Sequence, residues 1–115
     1  MTLEELEKRI TALEDLEEIK KLQKEYVFLV NDHQLNKLVD LFTEDGTAEI
    51  RNLGVKKGRK EISDLYAGIA GRMPIDTGHL LVQPIITVNG DTAEGHWLIY
   101  SFFLRQVDPV GTDKI

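Results

Sequence analysis

An α+β fold with a cone-shaped, curved antiparallel sheet and helices packed on one of its faces is the architecture this sequence predicts, and three observations predict it. A long amphipathic helical pattern opens the chain. A polar break, Asn31-Asp32-His33, hands it to a second short helix ending at Phe42, and Thr43-Glu44-Asp45-Gly46 then opens a strand. Two long β-rich runs, His79 to Val88 and Thr92 to Val107, follow on either side of Asn89-Gly90-Asp91. Helices first and antiparallel strands afterwards give a layered α+β domain, and the mouth of a curved sheet is a natural ligand pocket.

The helical pattern runs from Thr2 to Leu29, with apolar residues at Leu3, Leu6, Ile10, Leu13, Leu16, Ile19 and Leu22 and 13 charges among the first 25 residues. This is a helix with one apolar stripe. The first four stripe positions keep the 3-4-3 spacing of a coiled-coil seam before the step becomes 3-3-3 and the seam drifts around the helix. Residues 1–13 therefore read as an N-terminal helical extension that packs across the domain or against another subunit. The plainer reading, a solvated helix with one face on its own core, is preferred.

Asp32 is placed to cap the second helix through the amide of Gln34 or Leu35, while Leu35, Leu38, Val39, Leu41 and Phe42 form its apolar face. Thr47 to Leu53 reads as a strand, Gly54 as a turn, and Val55-Lys56-Lys57 as a short returning strand. The cations of Lys56-Lys57-Gly58-Arg59-Lys60 have no interleaved aromatic, so a solvated loop is preferred to a phosphate site. Arg59 to Ala70 repeats helical spacing through Ile62, Leu65, Tyr66 and Ile69, and Gly71 with Pro74 stops it. Asn-Gly between the last two β-rich runs signals a hairpin, and Pro84 within the first run marks an edge or a bulge.

Composition bounds the function. The 115 residues make a single domain, small for a spacious cavity unless it pairs with another copy. Twenty acidic against 14 basic residues give a net charge of -6, which disfavours nucleic acid and anionic membrane as partners. The absence of cysteine excludes a disulfide framework and thiolate chemistry and is compatible with a reducing cytoplasm, the expected location. No signal-like apolar segment and no run long enough to span a bilayer occurs. Histidines at 33, 79 and 96 have no ligand-like spacing, so no metal is expected.

Glu25-Tyr26-Val27-Phe28-Leu29-Val30-Asn31-Asp32, then Leu38-Val39-Asp40-Leu41-Phe42-Thr43-Glu44-Asp45-Gly46, Gly58-Arg59-Lys60-Glu61-Ile62 and Gly78-His79 carry a resemblance. Together they resemble the SnoaL-like branch of the nuclear transport factor 2 (NTF2-like, cystatin-like) superfamily. Within it the chain is most similar to the bile acid 7α-dehydratase and scytalone dehydratase type, from about Leu3 to Val107. The resemblance implies a cofactor-free lyase whose site combines a helix tyrosine, an aspartate at the end of that helix and a strand histidine. By position these fall on Tyr26, Asn31 and His79, with Asp32 one residue late. Asn31 departs from the pattern, because an amide takes no proton at neutral pH and keeps only hydrogen bonding.

Elimination of water from a β-hydroxy carbonyl compound needs a base at the α-proton, an acid for the leaving hydroxyl and donors for the enolate oxygen. His79 suits the base, Tyr26 the donor, and Asp32, turned inward, would orient His79. Each has a plainer reading: Tyr26 as a core aromatic, Asp32 as a helix cap, His79 as a strand-start surface residue. Asn31, Trp97 and Phe42 are the candidate substrate contacts. Strand alternation separates Glu94, His96, Leu98, Tyr100 and Phe102 from Ala93, Gly95, Trp97, Ile99, Ser101 and Phe103. Trp97 is preferred over His96 for the pocket, because its face carries the small residues that leave room for a ligand.

The resemblance also implies two further strands beyond Gly95-His96-Trp97 that close the cone and, in the bile acid dehydratase, supply a functional arginine. The sequence stops at Ile115, where the first of them would begin. A shortened gene, a fragment, or a second subunit completing the sheet all fit. A bare edge along Leu98 to Leu104 invites association, so a homo-oligomer, dimer or trimer, is expected. Two function classes follow. One is a cofactor-independent dehydratase or isomerase of a polycyclic hydroxy-carbonyl compound, holding a small hydrophobic ligand in the cone. The other is a non-catalytic small-molecule-binding or oligomerisation domain of the same fold.

Overall fold

The computed structural model describes residues 1–72 and 76–103 of the chain. Pro74 and the expected end of the last strand, 104–107, lie outside the described residues. The elements are α1 (Leu3–Asn31), α2 (Leu35–Val39), β1 (Thr47–Glu49), β2 (Val55–Lys57), α3 (Gly58–Arg72), β3 (Asp76–Asn89) and β4 (Thr92–Phe103). The described strands form two antiparallel pairs, β1 with β2 and β3 with β4.

Helix α1 is fixed at both ends by local chemistry. At its start Thr2 Oγ1 accepts from the Glu5 amide while Glu5 Oε2 accepts from the Thr2 amide, each at 3.1 Å, so two otherwise unsatisfied donors are paired. At its end His33 takes a left-handed backbone, φ 57°. That lets the Gln34 amide reach Leu29 O at 3.0 Å and the His33 amide reach Val30 O at 3.2 Å. These two bonds are the Schellman termination, with His33 where glycine is usual. The helix is continuous through residue 13, and its first apolar turns stay open to solvent, Leu3 at 79% exposure.

The termination corrects one expectation. Asp32 does not cap α2: the cap position belongs to Gln34, which makes no side-chain capping bond, and the Asp32 carboxylate accepts from Gln34 Nε2 instead. The left-handed turn at His33 shifts the start of α2 by two residues. Helix α2 also ends at Val39, and turns bonded Leu41 to Leu38 and Phe42 to Val39 carry the chain on to Phe42. The first strand likewise stops at Glu49, because Arg51 is left-handed at φ 51° and the Leu53 amide closes back on Ile50 O at 3.1 Å.

The core is small and lies between α2 and α3. Ile62 and Tyr66 on one stripe of α3 meet Leu38 and Val39, with Leu38 and Ile62 at 0% exposure. Tyr26, Leu29 and Val30 of α1 and Phe42 pack against this cluster. Arg59 Nε and Nη2 both donate to Phe42 O, at 3.1 and 2.8 Å, which ties the first turn of α3 to the end of the α2 turn.

The β3–β4 hairpin turns at Gly90-Asp91, between the paired residues Asn89 and Thr92. Gly90 has φ 59°, as a two-residue hairpin turn of this hand requires at its first central position. Pro84 sits in a bulge: Val82 pairs with Leu98 and Ile85 with His96, so Gln83 and Pro84 together oppose Trp97, and Gln83 takes φ 54°. The extra residue inverts the strand's phase. His79 and Leu81 before the bulge then share a face with Ile86 and Val88 after it, opposite Ser101, Ile99, Gly95 and Ala93.

That face is the one that meets α1. Ile86 and Val88 line a groove with Arg9, Ala12, Leu13 and Leu16 at one end, and Asn31 bonds His79 at the other. The two elements match in length. Leu13 to Asn31 spans about 27 Å of helix, and His79 to Thr87 about 26 Å of strand. The opposite face carries Leu80, Ile85, Leu98 and Tyr100, all exposed, Ile85 at 70%.

Candidate functional site

The C-terminal half of α1 supplies two of the expected residues, and each meets a different neighbour. Tyr26 turns toward α3, where its hydroxyl lies 2.5 Å from that of Tyr66. The rings meet edge to face, with centroids 6.3 Å apart and planes at 71°. Phe42 holds Tyr66 from another side, with centroids 6.4 Å apart. Phe42, a candidate substrate contact from the sequence, is thus a partly buried packing partner of Tyr66.

Burial raises the Tyr26 phenol above its ordinary value, and the hydrogen bond with Tyr66 pulls part of that rise back. Tyr66 goes far higher, first by burial, then by its bond to Tyr26 and by that residue's charge. Both phenols are therefore protonated near neutrality.

Asn31 turns toward β3. Its Oδ1 accepts from the His79 amide at 2.7 Å, and its Nδ2 donates to His79 O at 3.2 Å. Gly78, at φ 143°, supplies the backbone that brings the His79 amide to this position. A carboxylate at 31 would accept from the amide but offer nothing to the carbonyl, so the departure to asparagine has a structural reason. The amide anchors the first residues of β3 to the end of α1, with the His79 side chain on the hairpin face that meets the helix.

Asp32, which would orient His79 only if turned inward, is exposed, and its carboxylate accepts from the Gln34 side chain. Asn31, in contrast, bonds to the His79 backbone. Trp97 is half-buried on the same hairpin face as His79, but its indole lies over Gly95: a methyl group at 95 would overlap the ring. The room that the small residue leaves is taken by Trp97 itself. His96 stands on the opposite, exposed face, beside Ile85.

Tyr66 is the residue that the sequence argument missed. The spacing Ile62, Leu65, Tyr66, Ile69 marks it as inward-facing. Its hydroxyl partner, 40 positions away on another helix, has no local signal.

The arrangement offers a part-buried phenol pair between α1 and α3 and, near the end of the same helix, a strand histidine whose backbone is clamped to Asn31. Among the described residues no group of three or more His, Cys, Asp or Glu is placed to hold a metal ion. No helix among them is long and apolar enough to cross a membrane.

Comparison with known proteins places this geometry in context. A structure of an NTF2-like protein with a cystatin-like fold from Novosphingobium aromaticivorans superposes with a TM-score of 0.72 at 28% identity, over 96% of this chain and 83% of that one. A candidate scytalone dehydratase from the same organism superposes with a TM-score of 0.68 at 17% identity, over 87% of this chain and 68% of that one, a likeness of fold. No functionally curated protein matches the chain. The SnoaL-like domain model matches residues 11–112, nearly the whole chain. The chain belongs to the SnoaL-like domain family and has its NTF2-like, cystatin-like fold.

Proposed function

We propose that the chain is a cofactor-independent dehydratase or isomerase of a small polycyclic hydroxy-carbonyl compound, with His79 as base and Tyr26 as donor to the carbonyl oxygen. The observation that carries this reading is the Tyr26–Tyr66 hydroxyl pair, a protonated, half-buried Tyr26 phenol near the helix end to which the His79 backbone is anchored. His79 removes the α-proton, and the C–H electron pair moves into an enolate whose oxygen accepts from Tyr26. Collapse of the enolate forms the C=C bond and expels the β-hydroxyl, which takes the proton from the imidazolium and leaves as water.

The sole tryptophan reports binding, because Trp97 shares the hairpin face of His79. Bicyclic and tetracyclic β-hydroxy ketones are titrated against Trp97 fluorescence, and turnover is followed by the absorbance of the conjugated enone. Wild type is expected to bind and dehydrate at least one of them, and His79→Ala to bind it with turnover lowered at least a hundredfold. Turnover unchanged in His79→Ala rejects the mechanism.

A second reading, a non-catalytic ligand-binding or self-associating domain, is favoured by Asn31, whose amide is committed to the His79 backbone and adds no acid or base. The exposed apolar residues of the α1 stripe and of the outer hairpin face support self-association into a homo-oligomer. Binding without turnover on every ketone, together with a dimer or trimer in sedimentation at micromolar concentration, selects this reading; a monomer argues against its self-association.

A further inference from the structure

A pair of hydroxyls 2.5 Å apart shares one proton between its oxygens, and the second proton points elsewhere. Which residue spends its proton inward follows from their surroundings. Tyr66 is 8% exposed on the inner stripe of α3, among Leu38, Val39, Ile62 and Phe42. Its hydroxyl has Tyr26 as its hydrogen-bond partner among the described residues. Tyr26 is the less buried of the two and sits on α1, the helix that meets the β3 face. If Tyr66 accepted, its own proton would be left facing apolar side chains. If it donates, both protons are used, and the Tyr26 proton is directed away from the core.

We propose that Tyr66 is a positioning residue: it donates to Tyr26 Oη and so turns the Tyr26 proton outward as the donor to a ligand oxygen. This rests on the reading of Tyr26 as the carbonyl donor given above. Tyr66 touches no substrate. Without the Tyr66 hydroxyl, Tyr26 Oη loses the bond donated to it, its proton is no longer held to one direction, and Tyr26 becomes a weaker acid.

The test compares wild type, Tyr26→Phe, Tyr66→Phe and the double variant, with 1-tetralone as probe. Affinity is read from Trp97 fluorescence, and the hydrogen bond to the probe from its carbonyl stretch in difference infrared spectra. Wild type is expected to lower the stretch of the bound ketone, Tyr26→Phe to abolish that shift, and Tyr66→Phe to reduce it and to weaken Kd about three- to tenfold. The double variant is expected to match Tyr26→Phe, because Tyr66 acts only through Tyr26.

An unchanged carbonyl shift in Tyr66→Phe, or a loss that adds to that of Tyr26→Phe in the double variant, overturns the proposal while leaving the role of Tyr26 intact. A Tyr26→Phe protein that binds and shifts the ketone as wild type does overturns the reading of Tyr26 and the proposal with it. A ligand-free measurement decides the donation itself, even if tetralone does not bind. In phenolate absorbance titrations Tyr66→Phe is expected to move the Tyr26 ionisation to higher pH, and no movement or a downward one overturns the proposal.

Discussion

The side-chain amide of Asn31 answers both backbone polar groups of His79, accepting from its N–H at 2.7 Å and donating to its C=O at 3.2 Å. One residue at the end of α1 thereby does for β3 what a neighbouring strand residue would do. Asn31→Asp is expected to keep the first bond and lose the second, lowering stability by about 1 kcal/mol at neutral pH. The deficit should shrink in acid, where a protonated side chain can donate again. Urea unfolding at neutral and acid pH, referenced to wild type, checks this; a variant as stable as wild type at neutral pH removes the clamp from the account.

His33 occupies the left-handed position that closes the Schellman turn after α1, at φ 57°. The side chain is exposed, so little packing is lost on removing it. His33→Gly is expected to stabilise the protein by about 0.5–1 kcal/mol through relief of the left-handed backbone. A raised urea midpoint with unchanged slope is the expected result.

Gly95 lies beneath the Trp97 indole, and a methyl group there has nowhere to go unless the ring moves. Gly95→Ala is expected to cost about 1–3 kcal/mol as an overpacking change. It should also alter Trp97 emission, which a mere loss of strand flexibility would leave in place.

Leu38 is at 0% exposure at the centre of a small core, facing Ile62 and Tyr66. Leu38→Ala is expected to cost about 2–5 kcal/mol, a large part of the stability of a domain this size. Thermal unfolding followed by circular dichroism measures it.

Burial holds both Tyr26 and Tyr66 above their ordinary phenol value in the folded chain. A group whose folded value is raised contributes its full stability below the unfolded value, about 10 for tyrosine, and loses it as pH climbs toward the folded one. Stability is therefore expected to fall as pH rises past about 10. The double variant Tyr26→Phe/Tyr66→Phe should fall less steeply over the same range in urea titrations.

Local signals made much of this protein readable. The helical stripes, the Asn89-Gly90-Asp91 turn and the bulge at Pro84 each depend on residues within a few positions of one another. The family pattern likewise consists of two local motifs, one around Tyr26 and Asn31 at the end of α1 and one at Gly78-His79 near the start of β3. What fails locally is the fate of side chains. Asp32 looked like a cap, but the left-handed turn at His33 moved the helix start past it.

By itself the sequence determined the α+β class, the order of elements and the two faces of β4, because periodicity and turn chemistry act over one or two turns of chain. Only the tertiary structure decided that Asn31 clamps the His79 backbone and that Trp97 fills the space above Gly95. It alone decided, too, that Tyr26 answers to Tyr66. Asn31 and His79, like Tyr26 and Tyr66, are 40 or more positions apart. Their meeting is set by how α1 packs on β3 and α3, and no spacing rule encodes a distance that packing creates.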